Sequence, residues 1–238
     1  MKKALFGFLL FAFPFVLAAQ EEGETSGNVR PEKIPDIRYG LKGSFKLPTP
    51  IKNKAFTSVI DGIADANLSF HYPFLRHFYF GAGYRYSYFQ INDFRAKADL
   101  NANLQIHSPF AVLGFERFAT PRFLYGVSLR SGYSMLHFKS NTCLSNNPEG
   151  KGAGQEAVFI EPEFTLELMS GENMAFSFVT SWTWILDEFG AENICLSNFS
   201  GLTADDSKGY YQFISVGFGF TVFLGGEKRS KGPRIYYD

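Results

Sequence analysis

One pattern recurs down this chain and leaves few folds open to it. About eight segments, each of roughly 10 to 16 residues, alternate apolar with polar or small side chains. Ile37, Tyr39, Leu41, Phe45 and Leu47 share one parity, and Arg38, Lys42, Ser44 and Lys46 the other. Ala64, Ala66, Leu68, Phe70 and Tyr72 oppose Asp65, Asn67, Ser69 and His71. Phe78, Phe80, Ala82, Tyr84, Tyr86 and Tyr88 oppose Gly81, Gly83, Arg85 and Ser87. The same rhythm runs through Phe123–Met135, Val158–Leu168, Met174–Asp187 and Tyr210–Leu224. Period two is the strand period, so each segment reads as a strand with one apolar face.

A further segment, at 102–118, fits less simply. Ala102, Leu104 and Ile106 alternate with Asn103 and Gln105, but Leu113 and Phe115 take the opposite parity beside Glu116. Pro109 lies between the two stretches. A β-bulge near His107–Pro109 is expected to switch the parity, since bulges tolerate proline.

The connections alternate as well. Residues 73–77, 119–122 and 170–173 are short, whereas 48–60, 91–101, 138–157 and 188–209 are long and mostly polar. Eight strands joined in this way read as an all-β, antiparallel, up-and-down transmembrane β-barrel. Short turns then face the periplasm of a Gram-negative bacterium, long loops face outside, and both termini are periplasmic.

The start of the chain agrees. Lys2 and Lys3 precede an entirely apolar run, 4–19, that ends in small residues. This reads as a signal peptide over 1–19, rather than a membrane anchor, because the run is short and Pro14 interrupts it. The expected organisation is then a periplasmic segment at 20–36, the barrel at 37–224 and a periplasmic tail at 225–238. With 28 Phe and 12 Tyr among 238 residues, aromatics reach 18%, which suits an apolar outer wall with aromatic girdles. Lys plus Arg and Asp plus Glu both number 23, so nothing suggests nucleic acid.

If the apolar faces point outward, charges point into the lumen. Arg38, Lys42, Lys46, Arg85 and Arg130 then meet Asp65, Glu161, Glu163 and Glu167, with Glu116 nearby. Isolated charges in a narrow lumen are costly, so these should pair. An ion-pair plug is the structural reading, and a charged channel or proton path is the functional one. A soluble lipocalin-like binder would reverse the faces, but Tyr84, Tyr86, Tyr88, Trp182 and Trp184 stand where a membrane interface would be.

On these residues the chain resembles the small eight-stranded outer-membrane barrels, of the kind formed by OmpX and the OmpA transmembrane domain. The resemblance covers roughly 37–224. In the last strand Ser215, Gly217, Phe220 and Val222 look like the signal read by the barrel-assembly machinery, although 14 residues follow Leu224 where that signal usually ends the chain. The family implies contact with outer-membrane lipid, but its adhesins, evasion factors, structural proteins and lipid-modifying enzymes leave the function open.

Cys143 and Cys195 lie in the third and fourth long loops. Their surroundings, Asn141–Asn146 and Asn193–Asn198, differ only at Thr142 against Ile194. Two cysteines in an exported chain read as one disulfide, here a clasp over the barrel mouth. No catalytic constellation, cofactor or metal site emerges. His137, Ser140 and Asn141 lack the spacing and acidic partner of a lipid deacylase, and Asp205–Asp206 is no calcium loop. Residues 225–238 carry four basic against two acidic groups and include Ile235-Tyr236-Tyr237, either a solvated tail or a dock for a periplasmic partner. The chain thus reads as a non-enzymatic structural or interaction protein, of which an accessory subunit of an envelope complex is one form. The alternative is a narrow channel or a lipid-handling or lipid-modifying barrel.

Overall fold

Residues whose side chains alternate in polarity satisfy their backbones only by pairing with neighbours, and here the pairing closes on itself. A computed structural model describes residues 35–92, 102–140, 154–189 and 209–224. Its strands are β1 (Gly40–Lys52), β2 (Ile60–Pro73), β3 (Phe78–Ile91), β4 (Ala102–Phe118), β5 (Phe123–Ser140), β6 (Gly154–Met169), β7 (Met174–Glu188) and β8 (Tyr210–Phe223). A short helix, α1 (Lys54–Val59), joins β1 to β2. Every strand pairs antiparallel with the next, and β8 returns to β1, so the sheet is a closed up-and-down barrel with no free edge.

The closing seam depends on glycine. Gly217 of β8 opposes Lys46 of β1, and a Cβ added there would come within 2.1 Å of the Phe45 carbonyl oxygen. Neighbouring Phe218 points outward and is 74% exposed. Around the wall Phe45, Leu68, Phe80, Leu113, Leu129, Phe176 and Phe220 are likewise exposed, an apolar belt stable only against lipid.

The expected bulge in β4 does not form. Pairing with β3 runs without a shift from Phe78 opposite Phe115 to Gln90 opposite Asn103. Pairing with β5 lapses at Ser108 and Pro109 and resumes in the same register. Pro109 is accommodated by its neighbour instead: a Cβ on Gly132 would lie 2.1 Å from the Pro109 carbonyl oxygen. Leu104 and Ile106 therefore point inward with Glu116 and are fully buried, while His107 and Gln105 face out. A register irregularity occurs in β2 instead, between Gly62 and Ala64.

What changes along β4 is the surroundings. The strands are 13 to 18 residues long, and a tilted strand crosses the hydrocarbon in about 9–11. The excess lies at the end away from the short turns. There the outward positions turn polar, with Gln90, Asn103, Gln105, His137, Lys139 and Glu156, and the inward positions turn apolar. That end of the barrel has the polarity of a water-soluble protein.

The first long connection is not a polar loop. β1 stays paired with β8 as far as Lys52 but with β2 only to Lys46, so Pro48 and Pro50 occupy a one-sided stretch of the kind that accepts proline. The chain then turns at Asn53, whose φ of 63° is left-handed, a conformation asparagine tolerates. The Asn53 side chain caps α1 by accepting from the Phe56 amide at 3.1 Å. Its amide nitrogen donates to the Gly209 carbonyl at 2.9 Å and the Phe189 carbonyl at 3.4 Å, tying α1 to strand ends across the mouth.

Candidate functional site

The lumen is filled in layers. At the short-turn end Phe118, Leu124, Ala175 and Phe223 form an apolar plug, with Ile37 and Met169 packed against it. At the far end α1 lowers Ala55, Phe56 and Val59 into a larger apolar core. The Phe56 ring sits 5.8 Å from Phe89 and Phe189 and 5.2 Å from Tyr211, and Leu104, Phe138, Phe159 and Phe213 complete the layer. Charges lie between these caps.

Two charged clusters can be distinguished. In the one nearer the short turns, Lys42 Nζ bonds to Glu116 and, at 2.6 Å, to Glu167. Thr221 donates to the second Glu167 oxygen at 2.7 Å. His71 closes this level, hydrogen-bonded to Ser69 at 2.9 Å and stacked on Tyr79 at 4.3 Å.

The second cluster centres on Glu161. One of its oxygens meets Lys46 at 3.1 Å and Arg130 at 3.2 Å, and the other meets Arg85 and accepts from Thr183 at 2.6 Å. Arg130 also pairs with Glu163, and Lys46 lies 3.6 Å from Glu163 and 3.8 Å from Asp65. Ser181 and Ser108 accept from Lys46 and Arg85. The Arg85 guanidinium is 4.3 Å from the centroid of the Phe159 ring, so the charged layer is joined to the apolar core by a cation–π contact.

Lys46, Asp65, Arg85 and Glu161 are 0% exposed. Each charge therefore depends on its partners rather than on water. Arg38 is not part of either cluster. It lies beyond the short-turn plug, over the Phe223 ring, and donates to Asn173 Oδ1 at 2.9 Å and to the Glu172 carbonyl. Alternation assigns Arg38 to the inward parity correctly, but β1 begins only at Gly40, so the residue falls below the lumen.

Other sequence candidates are placed as follows. Ser215 and Gly217 face inward on β8, and Phe220 and Val222 face out at the seam with β1. Cys143 and Cys195, the signal segment 1–19 and the tail 225–238 lie outside the described residues. Alternation places Ser181 and Thr183 on the inward face without revealing that their hydroxyl groups complete the charged layer, and the expected bulge hides the inward facing of Ser108. Sequence reading also missed α1, which alternation cannot detect. Among the described residues no group of His, Cys, Asp and Glu is arranged to hold a metal ion.

No family model matches the sequence, and no curated protein does. Solved structures do. Neisserial surface protein A matches with a TM-score of 0.51 and 10% identity, over 78% of this chain and 97% of that one. OprG from Pseudomonas aeruginosa gives 0.47 at 13% identity, covering 82% and 100%. Ail, the attachment invasion locus protein of Yersinia pestis, in complex with the heparin analogue sucrose octasulfate, gives 0.42 at 10% identity, covering 80% and 100%. At these identities the likeness to neisserial surface protein A is one of fold: a small eight-stranded membrane barrel.

Proposed function

We propose that the chain is a non-enzymatic outer-membrane β-barrel acting as a structural or interaction protein, with its tall end presented outside the cell. The observation that carries this reading is the solid lumen. Among the described residues two apolar caps enclose paired charges, an arrangement that fills the lumen rather than opening it. What is elaborated instead is the external end, where the strands outrun the membrane and the wall turns polar. Its Tyr133 hydroxyl donates to Glu156 at 3.0 Å, and His107 and His137 stand side by side with ring centroids 5.6 Å apart.

The shared fold with neisserial surface protein A supports the membrane setting. In this reading residues 1–19 are removed on export, both termini are periplasmic, and Ser215, Gly217, Phe220 and Val222 serve the barrel-assembly machinery. Cys143 and Cys195 join the third and fourth loops by a disulfide, so that a partner meets a pre-ordered surface. A narrow channel, the alternative, has the sealed lumen against it.

Photo-cross-linking in native envelopes tests this directly. A photo-reactive residue in place of Lys139 should capture a discrete envelope component, and one in place of Phe218 should capture lipid alone. If both positions yield only lipid, the interaction role fails and a purely structural one is left.

A further inference from the structure

We propose that the short-turn rim carries a binding site for the phosphate of a membrane phospholipid, formed by Arg76 and Arg117. This rests on the membrane reading of the barrel but not on a protein partner. Arg76 is in the turn between β2 and β3, and Arg117 is the outward residue next to the end of β4, opposite Tyr125 of β5. Together with His77, Asp36 and Phe118 they line a cleft of about 190 Å³.

Three observations point to an anionic amphiphile. First, both guanidinium groups are on exposed residues, and among the described residues neither makes an ion pair or hydrogen bond. Two arginines converging on one cleft match the oxygens of a phosphate, which a guanidinium can grip through paired N–H donors. Asp36 offsets only one of the two charges. Second, the cleft is walled by His77, whose ring lies 5.7 Å from that of Phe115, so the arginines stand over an aromatic wall rather than beside further carboxylates.

Third, the cleft borders the apolar belt. Phe74 and Leu75, in the same turn as Arg76, are 47% and 59% exposed, and Phe78 on the adjoining wall is 43% exposed. A free phosphate has no use for this frame. A phospholipid uses both parts, with its phosphodiester between the arginines and its acyl chains along the phenylalanines.

The test uses the full-length chain folded in a neutral detergent. It is titrated with a short-chain phosphatidylglycerol and, separately, with inorganic phosphate, and bound ligand is counted by native mass spectrometry. One lipid should be retained saturably. The double variant R76Q/R117Q should bind about tenfold more weakly, and R122Q, which removes an exposed charge from the neighbouring turn, should bind as the parent does. Heat-dependent electrophoretic mobility checks that each variant is folded. Equal binding by R76Q/R117Q, an equal loss in R122Q, or inorganic phosphate competing as well as the lipid would each overturn the proposal. A chain that folds without detergent or lipid would instead overturn the membrane reading, and the lipid site with it.

Discussion

Glu161 takes three cations at once, from β1, β3 and β5, and is fully buried. Removing it leaves Lys46, Arg85 and Arg130 to share the remaining acids. The expected cost of Glu161→Ala is about 3–5 kcal/mol, the usual penalty for orphaning a buried charge. Urea titration of the barrel folded in vesicles measures it, and a loss below about 1 kcal/mol would mean that water reaches the layer. The outer wall makes the converse prediction. Phe178→Arg should cost about 2–4 kcal/mol near the midplane, by exposing a charge to hydrocarbon. A cost below about 1 kcal/mol would contradict the outward orientation assigned to Phe178. At this scale the facing of each charge was legible, because parity fixes it. The partners were not: Lys46 and Glu161 are 115 residues apart, and alternation carries no distance.

Strand β4 shows why element-level reading succeeded in extent and failed in face. Its limits, 102–118, follow from the sequence, since Pro121 and the short turn bound one end. The bulge was inferred from the premise that apolar means outward everywhere. That premise holds where the wall meets lipid and reverses where it meets water, so Leu104 and Leu113 are both in their proper setting on opposite faces. Cysteine labelling decides between the two descriptions. In a background lacking Cys143 and Cys195, Gln105→Cys should react with a water-soluble maleimide and Leu104→Cys should not; the reverse would restore the bulge. Helix α1 belongs to the apolar core at the end away from the short turns. Phe56→Ala should cost about 3–5 kcal/mol and increase protease cleavage at the α1 end while the membrane belt stays folded.

At the largest scale, the described barrel has two kinds of surroundings. Its lower wall is apolar around charges, and its upper wall is polar around phenylalanines. The barrel itself could be read from eight alternating segments and the lengths of their connections, because closure and period two leave little freedom. That the strands continue above the membrane could not, since 48–60 and the ends of 138–157 look like polar loop when the inward face is unknown. The same layering makes the central claim, a lumen closed from end to end, open to one direct measurement. Purified full-length protein is inserted into a planar lipid bilayer and the current is recorded at steady voltage. A sealed lumen predicts no stable single-channel conductance above the bare membrane, and steady ohmic steps that scale with the number of inserted barrels would contradict it.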